Sequence, residues 1–215
     1  MYVPATPAQP APALTPAGVF SAAPATLAPP VHTDLTVRRA QLNVLDDHRA
    51  TITGTLGEAP NKGRSGRIVA LQELGSHGWR TLERAHTRAG GRFRFSFTPH
   101  RLGSPRLRLR FSGDAYGRAA HRALGRLNVY RLAGASWYGG GGSLACGGSL
   151  TSSTLGVANK TLPCGTMVTL RYDGRSIRVP VVDRGPYVAG REFDLTEATK
   201  AALGFGDTGD VWSTS

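Results

Sequence analysis

Two aspartates near the C-terminal end are best placed, by type and spacing, to do chemistry. Asp183 follows the largely apolar run Ile177-Arg178-Val179-Pro180-Val181-Val182 and precedes Arg184-Gly185-Pro186. A carboxylate at a strand end against an apolar barrel is partly desolvated, which favours its protonated form. Such a group suits general-acid work on a glycosidic oxygen. Alternatively, Asp183 accepts hydrogen bonds from the turn that follows and fixes it. Asp194, in Glu192-Phe193-Asp194-Leu195-Thr196, is either a second carboxylate facing a groove or a turn and capping residue. Tyr138, Asn159, Arg184 and Tyr187 complete the set as candidate substrate-binding residues. Asn159 can donate to a sugar or hold Asp183, but it cannot shuttle protons. Arg184 either pairs with a carboxylate or acidic ligand, or latches the structure.

The elements that must position these residues lie between 133 and 212. Strands are expected at Thr166 to Tyr172 and Ser176 to Val182, joined by the turn Asp173-Gly174-Arg175. One short helix is expected at Thr196 to Leu203. Thr196 caps it, Glu197 lies in its first turn, Lys200 near its end, and Gly204 terminates it. The pattern is a small β-barrel carrying a helix. The glycine run Gly139 to Gly142 has no following Lys-Ser/Thr and no strand-to-helix context, so it is read as a groove rim rather than a phosphate loop. Trp137 is expected in the core.

Cys146 and Cys164 are the only cysteines, an even count in a Gly-rich, helix-poor unit, which suggests a disulfide and an oxidising compartment. A zinc site is not expected, because all six histidines lie at or before His121. No cofactor is implied.

Four ordered motifs carry a family resemblance over about 80 residues. They are Ala-Ser-Trp-Tyr-Gly at 135–139, Lys-Thr-Leu-Pro-Cys-Gly-Thr at 160–166, Asp-Arg-Gly-Pro-Tyr at 183–187 and Glu-Phe-Asp-Leu-Thr at 192–196. This stretch resembles the rare-lipoprotein-A-like double-psi β-barrel family and, more loosely, the barrel of expansins. The resemblance implies a six-stranded barrel acting on or binding peptidoglycan glycan strands. One implied activity is lytic transglycosylation, in which the muramic acid 6-hydroxyl is the nucleophile. A single carboxyl group then serves as acid and afterwards as base, whereas ordinary glycoside hydrolysis needs two. The other implied activity is non-catalytic wall binding and loosening, as in expansins. Where many lytic members carry Glu and Asp after the first glycine motif, this chain has Gly148 and Thr151. Where the family usually shows His, it has Asn159.

Upstream, residues about 32 to 131 alternate with period two. Arg92-Phe93-Arg94-Phe95-Ser96-Phe97 and Arg106-Leu107-Arg108-Leu109-Arg110-Phe111 each put three apolar side chains on one face. Further strands are expected at Ala50 to Leu56, Arg67 to Leu74, Trp79 to His86 and Arg122 to Tyr130. About seven short strands argue for an antiparallel sandwich. Phe111-Ser112-Gly113-Asp114-Ala115-Tyr116-Gly117 resembles the last hairpin of bacterial Ig-like domains, which implies an accessory module. Trp79 is read as a core plug, and the histidines as surface residues. Residues 1–31 are Ala-, Pro- and Thr-rich and are expected to be a disordered or extended leader, either a tether or the remnant of a targeting segment. They lack a basic n-region and an unbroken apolar run, so a signal peptide is not evident.

The expected architecture is therefore all-β: leader 1–31, Ig-like sandwich 32–131, double-psi barrel 132–215. The formal net charge is +12, carried almost wholly by Arg, with lysines only at 62, 160 and 200. Such a surface favours polyanions: nucleic acid, anionic lipid or acidic wall polymers. The arginines alternate along strands without a recognition helix or RNA-binding signature, which argues against specific nucleic-acid recognition. No apolar run is long enough to span a membrane. The expected partners are peptidoglycan glycan and, through the basic sandwich, anionic wall polymers. The expected location is secreted or wall-associated.

Overall fold

The computed structural model describes residues 1, 29–59 and 63–215, so almost all of the expected leader lies outside the described residues. The N-terminal unit contributes β1 (Thr33–Ala40), β2 (Asn43–Leu45), β3 (Ala50–Glu58), β4 (Ile68–Gly75), β5 (Gly78–His86), β6 (Arg92–Phe97), β7 (Arg106–Phe111) and β8 (Ala120–Arg126). Period two explains them. Phe93 and Phe95 of β6, and Leu107, Leu109 and Phe111 of β7, are buried, while most of the intervening arginines are exposed. These faces meet Ile52, Leu56, Val69 and Leu71 in one core, between a three-stranded sheet β1-β3-β6 and a four-stranded sheet β5-β4-β7-β8.

One buried ionic cluster fastens the two sheets together. Arg67, just before β4, bonds Glu58 at the end of β3, and its Nε and Nη2 donate to Asp114 at 2.6 Å each. The guanidinium also lies 4.4 Å from the Phe111 ring centroid. Glu58 and Arg67 are both buried. Asp114 additionally accepts from the Tyr116 and Gly117 amides. Burial opposes ionisation of Asp114. The Tyr116 amide, the Arg67 guanidinium and the Gly117 amide outweigh it and hold the carboxyl below the usual carboxylate range. In the unfolded chain its pKa returns to about 3.9. The stabilisation is therefore complete above that value and is lost as pH falls through the lower folded one. Asp114→Asn is expected to be less stable at pH 7 and to lose less stability on acidification than the native chain. Urea titrations at neutral and acid pH measure this.

The C-terminal unit contains β9 (Asn128–Tyr138), β10 (Gly142–Ser143), β11 (Ser149–Leu150), β12 (Val157–Ala158), β13 (Met167–Tyr172), β14 (Arg175–Asp183), β15 (Phe193–Thr196), the helix α1 (Glu197–Leu203) and β16 (Gly209–Ser213). Six strands close on themselves in the order β15-β12-β14-β13-β16-β9, with β9 returning to pair with β15. The barrel is filled by Val157, Val168, Leu170, Val179, Val181, Phe193, Leu195 and Val211. α1 forms as its sequence signals dictate: Thr196 caps it, accepting from the Thr199 amide, and Gly204 ends it at φ 66°.

The expected boundary near residue 131 falls inside a continuous strand. The first part of β9 pairs in parallel with β2, and the remainder pairs with β16 and β15. The core residues change with it: Leu127 and Val129 belong to the sandwich, Ala133 and Ala135 to the barrel. A Ser104–Thr169 hydroxyl bond of 3.0 Å also links the units. Two tryptophans differ from expectation. Trp79 is 37% exposed, with the Arg108 guanidinium 4.2 Å from its ring centroid. Trp137 is equally exposed, donates to Asp207 and lies under the Lys200 ammonium. Each ring is covered by a cation rather than by apolar core.

Candidate active site

The site is built from a row of residues in register across four strands. Ala158 of β12 is the partner of Asp183 on β14 and of Asp194 on β15, and Asp194 is in turn the partner of Ser136 on β9. Cross-strand partners point to the same face of a sheet. Ser136, Asp194, Ala158 and Asp183 thus share one face, with about 10 Å between the backbones of the two aspartates across two strand spacings.

A bulge sets this arrangement. Strict alternation along β14 would put Asp183 on the same side as Val179 and Val181, inside the barrel. Instead Val157 pairs with Val181 and the next residue, Ala158, pairs with Asp183, so Val182 is an extra residue on β14. A bulge of this kind re-aims the following side chain, and here it turns Asp183 out to join Asp194. Gly156 makes room for the bulge: a Cβ there would lie 2.8 Å from Val182 Cγ1. The Gly156 amide and carbonyl are held by the Thr196 and Thr199 hydroxyls at the start of α1.

Asp183 is half-buried. Its Oδ1 accepts from the Ala145 amide at 2.9 Å and the Arg184 amide at 2.8 Å. Oδ1 therefore fixes both the following turn and the loop after the glycine run. Asp194 Oδ1 accepts from the Ser136 hydroxyl. Tyr138, two residues beyond Ser136 on β9, lies on the same face. Its hydroxyl is buried beside Asp183 and Asp194. Burial first, then the charge of Asp183 and a hydrogen bond to its carboxylate, and last the charge of Asp194, push the phenol far above its usual range, so it stays protonated at all working pH. The arrangement offers one carboxylate held through Oδ1 by two backbone amides, a second held by a hydroxyl, and a neutral O–H beside both.

The other candidates divide between scaffold and rim. Asn159 is buried. Its Oδ1 accepts from the Thr161 and Leu162 amides, and its Nδ2 donates to the Glu192 carbonyl. Arg184 Nη1 donates to the Asn159 and Leu162 carbonyls and Nη2 to Cys164 Sγ. Both side chains clamp the 159–164 loop. Tyr187 is 82% exposed, with its ring close to Gly185, where Asp194 Oδ2 also lies nearby. Sequence reasoning passed over Ser136, although its period-two relation to Tyr138 in the 135–139 motif was the available signal.

Cys146 and Cys164 are joined by a disulfide, with Cα atoms 5.5 Å apart. The bridge pins the loop bearing Ala145 to the loop bearing Asn159, and the Cys146 amide donates to the Val182 carbonyl at the bulge. Closing a loop of this 18-residue separation stabilises by roughly 3 kcal/mol in the chain-entropy model. The Cys146→Ala/Cys164→Ala chain is expected to unfold with about that much less free energy, measured by denaturant titration.

Residues 132–211 match the family model described as lytic transglycolase, of double-psi β-barrel type. The probable endolytic peptidoglycan transglycosylase RlpA of Aquifex aeolicus is 43% identical over 75 residues, covering 33% of this chain and 33% of that protein. The endolytic peptidoglycan transglycosylase RlpA of Pseudomonas aeruginosa (strain UCBPP-PA14) is 38% identical over 87 residues, covering 38% and 26%. The matched region thus spans about a quarter to a third of these relatives. Among solved structures, the Streptomyces papain inhibitor is 28% identical, covers 39% of this chain and 91% of its own, and gives a TM-score of 0.33. The closed barrel, its motifs and the family match agree: residues 132–211 form a six-stranded β-barrel similar to the double-psi barrels of the RlpA proteins.

Proposed function

We propose that the barrel cleaves the glycan strands of peptidoglycan by lytic transglycosylation, with Asp183 as acid and then base. The reading is carried by one observation above all: the register row that sets Asp183 and Asp194 on a common outer face with Tyr138. In the first step Asp183 Oδ2–H gives its proton to the glycosidic oxygen as the bond to the muramic acid C1 breaks. Positive charge develops at C1, where the Asp194 carboxylate stabilises it. In the second step Asp183 takes the proton of the muramic acid 6-hydroxyl as that oxygen bonds C1. The product is a 1,6-anhydro sugar and no water is consumed. Tyr138 keeps its neutral O–H against the two carboxylates, and Tyr187 offers an exposed ring on the rim for stacking. Asn159 and Arg184 act by shaping the loop beside the groove.

A second reading, a non-catalytic expansin-like wall-binding and loosening module, is favoured by the buried Asn159, whose amide bonds three backbone groups. Gly148 and Thr151 likewise leave the loop without its acids. Digestion of purified sacculi separates the two. Soluble 1,6-anhydromuramyl fragments support cleavage; protein that co-sediments with sacculi and releases nothing supports binding alone.

The disulfide supports a secreted or wall-associated location. No helix among the described residues is long and apolar enough to cross a membrane. The two facing sheets of three and four strands support an Ig-like spacer as the role of the N-terminal unit.

A further inference from the structure

The outer face of the β5-β4-β7-β8 sheet is strongly cationic. Register places Arg110 of β7 beside Ala70 of β4, which lies beside Arg84 of β5, and Arg106 beside Arg126 of β8. Arg108 lies between them on β7. Arginines 106, 108 and 110 repeat about every 6.7 Å along the strand. No Asp or Glu occupies an outward position of these four strands by the same registers. Asp114, near the end of β7, is already engaged by Arg67. The positive charge is therefore uncompensated. Burial, then the charge of Arg110, holds Arg108 below the usual guanidinium range. Burial, then the charges of Arg178 and Arg106, does the same to Arg126.

The influence of Arg178 shows where the face leads. Arg178 belongs to the barrel, on β14, and pairs with Thr169, the residue bonded to Ser104 of the sandwich. Arg126 donates to the same Ser104, through its carbonyl. The cationic row thus crosses the junction between the units and continues onto the strand that ends at Asp183, five residues or about 17 Å further on.

We infer that this row is a docking track for a linear phosphodiester polymer of the cell wall, held alongside the catalytic strand. Arginine forks match phosphate oxygens, and a regular row of them matches a chain with one charge per repeat. Nucleic acid carries the same charge but fits less well. Single strands need open aromatic faces on which bases stack, and the aromatics here, Trp79 and Tyr116, already carry the guanidinium groups of Arg108 and Arg64. A flat sheet face also offers no element to enter a duplex groove. The inference rests on the wall-associated reading above but not on cleavage.

The test is binding of the full chain to soluble poly(glycerol phosphate), followed over a range of salt concentrations. The native chain and Asp183→Asn are expected to bind alike. Arg106→Gln/Arg110→Gln/Arg178→Gln changes three exposed side chains without hydrogen-bond partners among the described residues. It is expected to bind at least about tenfold more weakly, with the log–log salt slope reduced by about two. The matching triple Lys variant is expected to keep most of the slope, which separates lost charge from lost fold. Equal binding by the native and triple-Gln chains would overturn the track. Equally tight binding of an oligothymidylate with the same number of phosphates would overturn the wall polymer as its occupant.

Discussion

Asp183→Asn is expected to lower the rate of anhydro-product formation by at least about a thousandfold while leaving sacculus binding unchanged. The substitution is unusually clean at this position. The asparagine Oδ1 can still accept from the Ala145 and Arg184 amides, so the two loops that Asp183 fixes stay in place. What changes is the other atom: Oδ2 becomes an amide nitrogen that neither delivers nor removes a proton. General acid–base catalysis contributes about 10²- to 10⁴-fold. Both proton transfers are assigned to this one group, so the upper part of that range applies, about 4–5 kcal/mol of barrier. Asp183→Ala removes the loop contacts as well and is expected to lower binding together with rate. Comparing the two variants by single-turnover rates and by sedimentation separates the chemical role from the structural one.

The second large effect is on stability. Arg67→Met is expected to destabilise the sandwich by about 3 kcal/mol or more. The guanidinium is buried and bridges Glu58 on one sheet to Asp114 beside the other, and its loss strands the buried Glu58 carboxylate. Removing one partner of a buried ion pair typically costs about 3–5 kcal/mol. Arg64, which also reaches Glu58 at 3.1 Å from a half-exposed position, keeps the expectation at the lower end. The double variant Glu58→Gln/Arg67→Met removes the stranded charge and is expected to recover part of the loss in urea unfolding. If the single variant unfolds like the native chain, the cluster is not what fastens the sheets.

Much of this architecture is written in local patterns. Period-two alternation identifies β6 and β7 and their buried faces, and the Thr196 and Gly204 caps delimit the helix to within a residue. The four motifs carry the barrel. What they do not carry is set by tertiary geometry. Alternation alone sends Asp183 into the barrel, and only the Val182 bulge, accommodated by Gly156, turns it outward. The extra residue is visible only once β12 pairs with β14. Asn159 and Arg184 spend their side chains on backbone groups of a loop that the disulfide folds, contacts with no periodic signature. The break between units is hidden for a similar reason. β9 is one strand whose two ends serve different cores, so composition changes along it while the backbone does not stop.

The central claim is that Asp183 moves both protons in a reaction that consumes no water. It is tested most directly by mass spectrometry of purified sacculi digested with the native chain and with Asp183→Asn. The native chain is predicted to release glycan fragments ending in 1,6-anhydromuramic acid, and the variant none above background. Fragments with ordinary reducing ends, or the same anhydro products from Asp183→Asn, would contradict it.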